Sequence, residues 1–236
     1  MTAQVSVEQL GIRFALDRQR RPVTPAAARV RFRCTTIWAL RGLSFTVEPG
    51  SGVALLGPNG CGKTTLLRTI AGVLSPDEGQ VRVRGRVGSL LSVGAGLMTH
   101  LTGRENALLL GVLAGLSKAR TRGLLDSIKL RSGLGDAYER PVSTYSQGMR
   151  ARLGFAVLDQ ADPEVLLLDE VHEAMDGTAR RQLEARAHEI RSKGGIVIAA
   201  GHDHLQLMRL CDQTLELGQS GELVSERLGP TPATAA

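Results

Sequence analysis

The sequence predicts an α/β domain with a helical lobe inserted into it, and three observations lead there. First, VALLG at 53–57 runs into a glycine-rich turn and then into KTTLLRTIAGVL at 63–74, whose apolar residues recur at helical spacing, giving the order strand, turn, helix. Second, EVLLLDE at 164–170 and GIVIAAGH at 195–202 are short, continuous apolar runs, the pattern of parallel strands buried on both faces. Third, from Arg104 to about Leu158 the pattern is helical, broken at Gly133, Gly135 and Pro141, with no convincing strand.

The other elements fall into place around these. VSVEQL at 5–10 and LSFTV at 43–47 read as strands, and QVRVRG at 80–85 alternates with period two, as a half-exposed strand does. SVGAGL at 92–97 reads as a glycine-rich loop. A helix over 178–193 separates the two buried runs, and TLEL at 214–217 and GELVSE at 221–226 close the domain as short strands. The tail GPTPATAA at 229–236 offers nothing to bury and is expected to be disordered. The expectation is one domain over residues 1–228, with its helical subdomain at about 100–160. No internal repeat and no heptad run of coiled-coil length interrupts it.

Composition narrows the class. At 236 residues the chain suits one α/β domain and one ligand site. No uninterrupted apolar stretch approaches the ~20 residues a membrane-spanning helix needs, and the start, MTAQVSVEQLGIRF, lacks the layout of a secretory signal. A soluble cytoplasmic chain is therefore expected. Cys34, Cys61 and Cys211 form no CxxC pair and leave one over in any pairing, which argues for free thiols and against a disulfide framework or a zinc site. The net charge of +6 speaks to association rather than fold. Arg13, Arg18, Arg20, Arg21, Arg29, Arg31 and Arg33 crowd one stretch, which reads as a solvated loop or as a contact for acidic headgroups or a membrane partner. Aromatics at 3% leave little to stack on nucleic-acid bases, so no nucleic acid is expected.

The chemistry is concentrated after the strand that ends at Leu56. Gly57, Pro58, Asn59, Gly60, Cys61, Gly62, Lys63 and Thr64 fit G-x-x-x-x-G-K-[ST], with Thr65 next. Glycines let successive N–H groups point inward at phosphates, and the helix that starts there adds its positive end. Lys63 would reach the β- and γ-phosphates of a nucleotide and the Thr64 hydroxyl would bind Mg²⁺. At this chain's own residue frequencies the pattern arises by chance in about one chain in a hundred. Asp169, closing VLLLD, would hold the same metal, and Glu170 would polarise the attacking water, since adjacent residues on a strand point to opposite sides. His202, at the end of the next buried run, is the candidate contact for the γ-phosphate or the water.

Tyr145, Ser146, Gln147, Gly148 and Met149, opening the helix RARLGFAVLDQ, resemble the ABC signature, usually LSGGQ. The chain is thereby identified as resembling the ABC ATPases, P-loop NTPases with a RecA-like α/β core, an antiparallel β subdomain and an inserted helical subdomain. The resemblance implies an ATP-sandwich homodimer in which Ser146, Gln147 and Gly148 face the nucleotide bound by the second copy. It also implies that Asp176 is the D-loop aspartate and that His202-Asp203 is the switch-histidine segment. Phe14 is the best match to the aromatic that stacks on adenine, with Trp38 a second candidate.

SVGAGLMTHLTGREN, ALLLGVLAGLS, YSQGMRARLGFAV and LLLDEV are similar to ATPase subunits that export O-antigen, capsule and wall teichoic acid. That implies a separate transmembrane permease and a place on the cytoplasmic face of the membrane. Some members carry a further C-terminal carbohydrate-binding domain, and none is expected within these 236 residues. Two departures stand out: no glutamine lies near Ser92 to Gly94, where the family places its Q-loop residue, and Gln147 and Met149 replace the usual signature residues. Cys61 inside the loop is expected to be a small filler that is sensitive to thiol reagents. The alternatives are a soluble, non-transport ABC ATPase, an exporter of another substrate, and a binding module with little turnover. DNA-repair types need a long coiled coil between the phosphate loop and the signature, and only about 80 residues lie there. Loss of Glu170 or His202 would favour the binding module, and both are present.

Overall fold

A computed structural model describes residues 3–16, 35–92, 94, 96–170 and 174–227. The arginines between 18 and 33, Cys34 and the 229–236 tail lie outside the described residues.

β1 (Gln4–Leu16) and β2 (Thr35–Val47) are longer than the sequence runs that announce them. They pair antiparallel from Val5↔Val47 to Leu16↔Thr35, and β4 (Glu78–Arg84) pairs antiparallel with the other edge of β1. The second sheet has the order β5-β6-β7-β3-β8-β9. β3 (Gly52–Leu56), β5 (Val87–Leu90), β6 (Val165–Asp169), β7 (Ile196–Ala200) and β8 (Gln213–Leu217) are parallel, and β9 (Leu223–Arg227) closes one edge antiparallel.

Period-two alternation divides the inner strands between two cores. Val165 and Leu167 of β6 and Ile196 and Ile198 of β7 pack with Leu43 and Phe45 of β2 and with Leu66 and Ile70 of α1 (Lys63–Ile70). Leu166, Leu168, Val197 and Ala199 face the other way. They pack against α4 (Gln147–Gln160), α5 (Gly177–Ser192) and α6 (His204–Leu210), through residues such as Phe155, Leu183 and Leu207. Burial on both faces is why these strands read as unbroken apolar runs.

The helical lobe forms a third core of its own. α2 (Gly103–Leu113) starts in a capping box between Thr102 and Glu105, and α3 (Lys118–Ser132) stops at Gly133 in the left-handed conformation. Asn106, fully buried, accepts from the Met98 N–H at 2.8 Å and donates to the carbonyls of Met98, Leu101 and Thr102, pinning the loop ahead of α2. The sequence reading had no strand at 87–90 and no helix at 204–210. VGSL has one β-branched residue, Val87, beside a glycine and a serine that disfavour strands, and forms because β6 pairs with it. α6 is too short for a periodicity to show and is set by its Asp203 cap.

The lobe is tied to the core by charge. Asp159, at the end of α4, pairs with Arg186 of α5 at 2.7 Å and with Arg131 of α3, its side chain only 5% exposed. Arg186 also meets Asp162 at 2.7 Å and Glu189 at 2.8 Å. Asp159→Ala therefore strands Arg186 in a mostly buried position with two rim acids left to it. The expected loss is about 3 kcal/mol of unfolding free energy by urea titration, the low end for breaking a buried pair.

Candidate functional site

The site begins where β3 runs out. Gly57 (φ 136°) and Gly62 (φ 104°) take conformations that side chains resist, and the loop between them is pressed against its neighbours. A Cβ on Gly57 would lie 2.4 Å from the Leu217 carbonyl oxygen, and one on Gly62 would lie 2.6 Å from that of Ala39. Gly60 (φ 79°) turns the tip. Lys63 curls back under the loop, Nζ donating to the carbonyls of Gly57 at 2.8 Å and Pro58 at 3.1 Å. No side chain caps α1 and no acid stands in its first turn, so its positive end and first N–H groups serve the cavity in front of it. That cavity, of about 460 Å³, is lined by the loop residues Asn59, Gly60, Gly62, Lys63, Thr64 and Thr65 together with Phe14, Ala39, Glu170 and His202.

Asp169 ends β6 with 7% of its surface exposed. Burial pushes its carboxyl above the usual range, opposed by a hydrogen bond from the Thr64 side chain. Glu170 corrects the sequence argument. It is not the next residue of a strand pointing the opposite way: β6 stops at Asp169, and Glu170 adopts a left-handed backbone with φ 57°. Its N–H donates to the Ala200 carbonyl at 2.9 Å, which holds the turn. A non-glycine residue there carries about 1–3 kcal/mol of strain, of the kind found at working sites. The turn brings Glu170 Oε1 to 2.8 Å from His202 Nε2, both side chains half exposed. His202 stands two residues beyond β7, and Asp203 after it caps α6.

Of the two aromatic candidates, Phe14 lines the cavity and is 45% exposed. Trp38 instead packs beneath two guanidinium groups, Arg13 and Arg41, at 5.8 and 5.6 Å from its ring. Ser146, Gln147, Gly148 and Asp176 are not among the residues lining this cavity. Ser146 caps α4, accepting from the Met149 N–H at 3.2 Å, and Gln147 is exposed beside it. Gly148 is held so close to the next segment that a Cβ would lie 2.9 Å from the Ala174 carbonyl oxygen. Asp176 caps α5, accepting from Thr178 and Ala179 N–H at 3.1 and 2.9 Å, and those bonds hold its carboxyl below the usual range. Ser92 and Gly94 line a separate groove of about 300 Å³ between β5 and the lobe, with Leu110, Leu113 and Arg150. Val93 between them lies outside the described residues. Ala39 is the wall residue the sequence reading missed, and an alanine on a long strand carries no signal that would have found it.

Residues 40–173 match the family model described as ABC transporter. An O-antigen export system ATP-binding protein of Klebsiella pneumoniae is 38% identical over 177 residues, covering 75% of this chain and 72% of that one. Its counterpart in Myxococcus xanthus is 37% identical over 176 residues, covering 75% and 40%. A teichoic acids export ATP-binding protein of Lactiplantibacillus plantarum is 35% identical over 195 residues, covering 79% and 53%. The chain thus spans from 40% to 72% of the length of these relatives. Among solved structures, a dimeric ATP-binding cassette in a post-hydrolysis state bound to ADP and Pi superposes with a TM-score of 0.76 at 19% identity, covering 96% of this chain and all of that one. At that identity it shows the fold, an ABC ATPase cassette.

The expected thiol sensitivity of Cys61 does not survive the geometry. Cys61 is 1% exposed, packed beneath the loop as a filler, and Cys211 is 2% exposed. In the native chain both should resist a maleimide probe and react only after denaturant is added, as read site by site by peptide mass spectrometry. Rapid native labelling of Cys61 would mean that the loop opens readily.

Proposed function

Because the chain belongs to the ABC transporter family, we propose that it is the ATP-binding and ATP-hydrolysing subunit of an exporter of cell-surface polysaccharide or a related polymer. The carrying observation is that the phosphate loop, Thr64 and the Glu170–His202 pair line one cavity, with Asp169 hydrogen-bonded to Thr64 behind its wall. The printed functions of the relatives support the export reading.

In this mechanism the loop N–H groups from Gly57 to Gly62 and the start of α1 cradle the phosphates, and Lys63 exchanges its bonds to the loop carbonyls for phosphate oxygens. Phe14 supplies an apolar face for the base. Thr64 and Asp169 are hard oxygen donors in contact, a set that suits Mg²⁺ completed by phosphates and water. When bound there, Mg²⁺ would neutralise charge on the phosphates. Glu170 orients and polarises the attacking water, and His202, bonded to it, fixes the carboxylate and reaches toward the phosphoryl group that is transferred. Positioning and charge stabilisation supply most of the rate.

Ser146, Gln147, Gly148 and Asp176 act in trans in this reading, closing a second copy's nucleotide into a sandwich homodimer. The dimeric state of the structural neighbour is compatible with it. The permease partner is supported by the groove beside Leu113, which is 68% exposed and continuous with the exposed Val87. Coupling there proceeds through Ser92 to Gly94 without a glutamine side chain. No helix among the described residues is long and apolar enough to cross a membrane; in this reading the chain sits at the cytoplasmic face through the permease.

Two measurements test this. Purified wild type should hydrolyse ATP, whereas Glu170→Gln should lose at least about a hundredfold in kcat and elute as a dimer in ATP and Mg²⁺ on size exclusion. If neither protein turns over and no dimer appears with candidate permeases added, the chain is a binding module. Asp169→Asn separates binding from folding. An acid whose folded pKa is raised loses stability as pH rises from its unfolded to its folded value, so the neutral amide should match or exceed the wild-type melting temperature without nucleotide. The added stabilisation that ATP with Mg²⁺ confers should disappear in the same variant.

A further inference from the structure

The phosphate loop rests at both ends on one turn, none of whose residues lines the cavity. β8 runs parallel to β3 with Glu216 opposite Leu56. Leu217 therefore comes level with the first residue of the loop, and its carbonyl is the group that leaves Gly57 no space for a Cβ. At the other end of the loop, Gly62 is crowded by the carbonyl of Ala39. Ala39 is there because β2 bulges: Ile12 pairs with Leu40 and Arg13 with Trp38, which leaves Ala39 as an extra residue between them. That bulge sits in turn on Gly221, where a Cβ would lie 2.0 Å from the Ala39 carbonyl oxygen and 2.9 Å from Leu40 Cα. The Arg41 N–H donates to the Gly221 carbonyl at 3.2 Å and fixes the bulge there. Leu217 and Gly221 belong to the same tight turn between β8 and β9. It is closed by Gly221 N–H to the Gly218 carbonyl at 3.1 Å and by Gly218 N–H to the Glu222 carbonyl at 2.9 Å. Gly221 is buried, whereas Gln219 and Ser220 at the tip are exposed.

We propose that the turn at 217–222 is the seat that positions the phosphate loop, with Gly221 as its positioning residue. Leu217 sets the Gly57 end by direct contact, and Gly221 sets the Gly62 end through the Ala39 carbonyl. The turn thereby fixes the spacing of the loop N–H groups that converge on a phosphate. Its consequence for nucleotide rests on the ATP-binding reading above. Gly221 suits the place on two counts: its φ is 72°, and no side chain fits against Ala39. Backbone pressed together in this way passes a displacement on, because close-packed contacts leave little slack to absorb it. A shift of the exposed tip therefore reaches the loop at both ends. Glu170 and His202 follow β6 and β7, on the other side of β3 from β8, so the effect falls on phosphate binding and not on the hydrolytic pair.

Cys61 reports on the seat directly, because it is buried beneath the loop and its Sγ would lie 2.9 Å from a Cβ on Gly57. Cys211, buried in the core on the other face of the sheet, serves as the internal reference. The test takes the full chain as wild type, Gly221→Ala, a variant with one glycine inserted between Gln219 and Ser220, and Gly79→Ala. The insertion loosens the turn at its exposed tip, where added residues are tolerated. Gly79→Ala is the matched control: its φ is 71°, and a Cβ there would meet the Glu8 carbonyl oxygen at 2.2 Å, a similar crowding placed between β1 and β4. In Gly221→Ala and in the insertion, native maleimide labelling of Cys61 should quicken about tenfold relative to Cys211, and the KM for ATP should rise about fivefold with kcat within about twofold. Gly79→Ala should leave the labelling ratio and the KM at wild-type values. An unchanged Cys61 ratio in both turn variants would overturn the proposal, as would an equal rise in Gly79→Ala or a loss carried by kcat with KM unaltered. A wild type without hydrolysis would count against the ATPase reading alone, because the labelling ratio still decides whether the turn seats the loop.

Discussion

Everything about the site follows from burying three parallel strands on both faces. β6, β7 and β3 are neighbours in the sheet, and their residues alternate between the core under the antiparallel sheet and the core under the helices. No polar side chain fits along their length without an expensive desolvation. Function is therefore pushed to their carboxyl ends, where the chain leaves the sheet. With strands about 4.8 Å apart, three adjacent ends bring the phosphate loop, the acids and the histidine within reach of one ligand. The antiparallel sheet has a supporting part: β1 and β2 roof one core and carry Phe14 and Ala39 to the cavity wall.

The same burial makes the site expensive to hold. Asp169 is kept in a position that disfavours its ionised form. Glu170 is held in a left-handed turn, and Lys63 is 7% exposed, bonded to carbonyls rather than to a carboxylate. Each departure would be relieved by a bland substitution, and proteins commonly retain such strain where activity needs it. The hydrogen bond from Glu170 N–H to Ala200 is informative because it binds the end of β6 to the end of β7. The carboxylate and the histidine thus move as parts of one joint.

Legibility in the sequence followed how locally each feature is determined. The phosphate loop was readable in full, since glycine placement, lysine and hydroxyl all lie within one turn of chain and answer to one ligand. The inner strands were readable because burial on both faces leaves no choice but apolar residues, and the helical lobe because Gly133 and Pro141 mark its breaks. β5 was not readable, because VGSL is a strand only by virtue of β6 beside it. Nor was the true reason for the Glu170 geometry, since a left-handed glutamate looks in sequence like any residue after a strand. The different surroundings of Phe14 and Trp38 needed three dimensions: both lie on long strands, but Phe14 lines the cavity whereas two guanidinium groups lie over the indole of Trp38.

The two helix starts that the proposed sandwich assigns to phosphate are built differently, and the difference bears on those proposed roles. α1 begins at Gly62 with no side chain to satisfy its donors, opening directly into the cavity of its own chain. α4 begins at Ser146, whose hydroxyl already accepts from Met149, and neither Ser146 nor Gly148 lines that cavity. A helix end that occupies part of its own hydrogen-bonding capacity can wait in water without a ligand, and it presents its remaining N–H groups only when an anion is brought to it. In the sandwich proposed above, that anion arrives on another copy, so binding at α1 comes first and engagement of α4 follows. What α4 transmits back then depends on how firmly its start is seated, and Gly148 seats it against the Ala174 carbonyl with no room for a side chain between. The altered signature keeps the two residues this seating requires, Ser146 and Gly148, and varies at Gln147 and Met149, which flank Gly148 on either side.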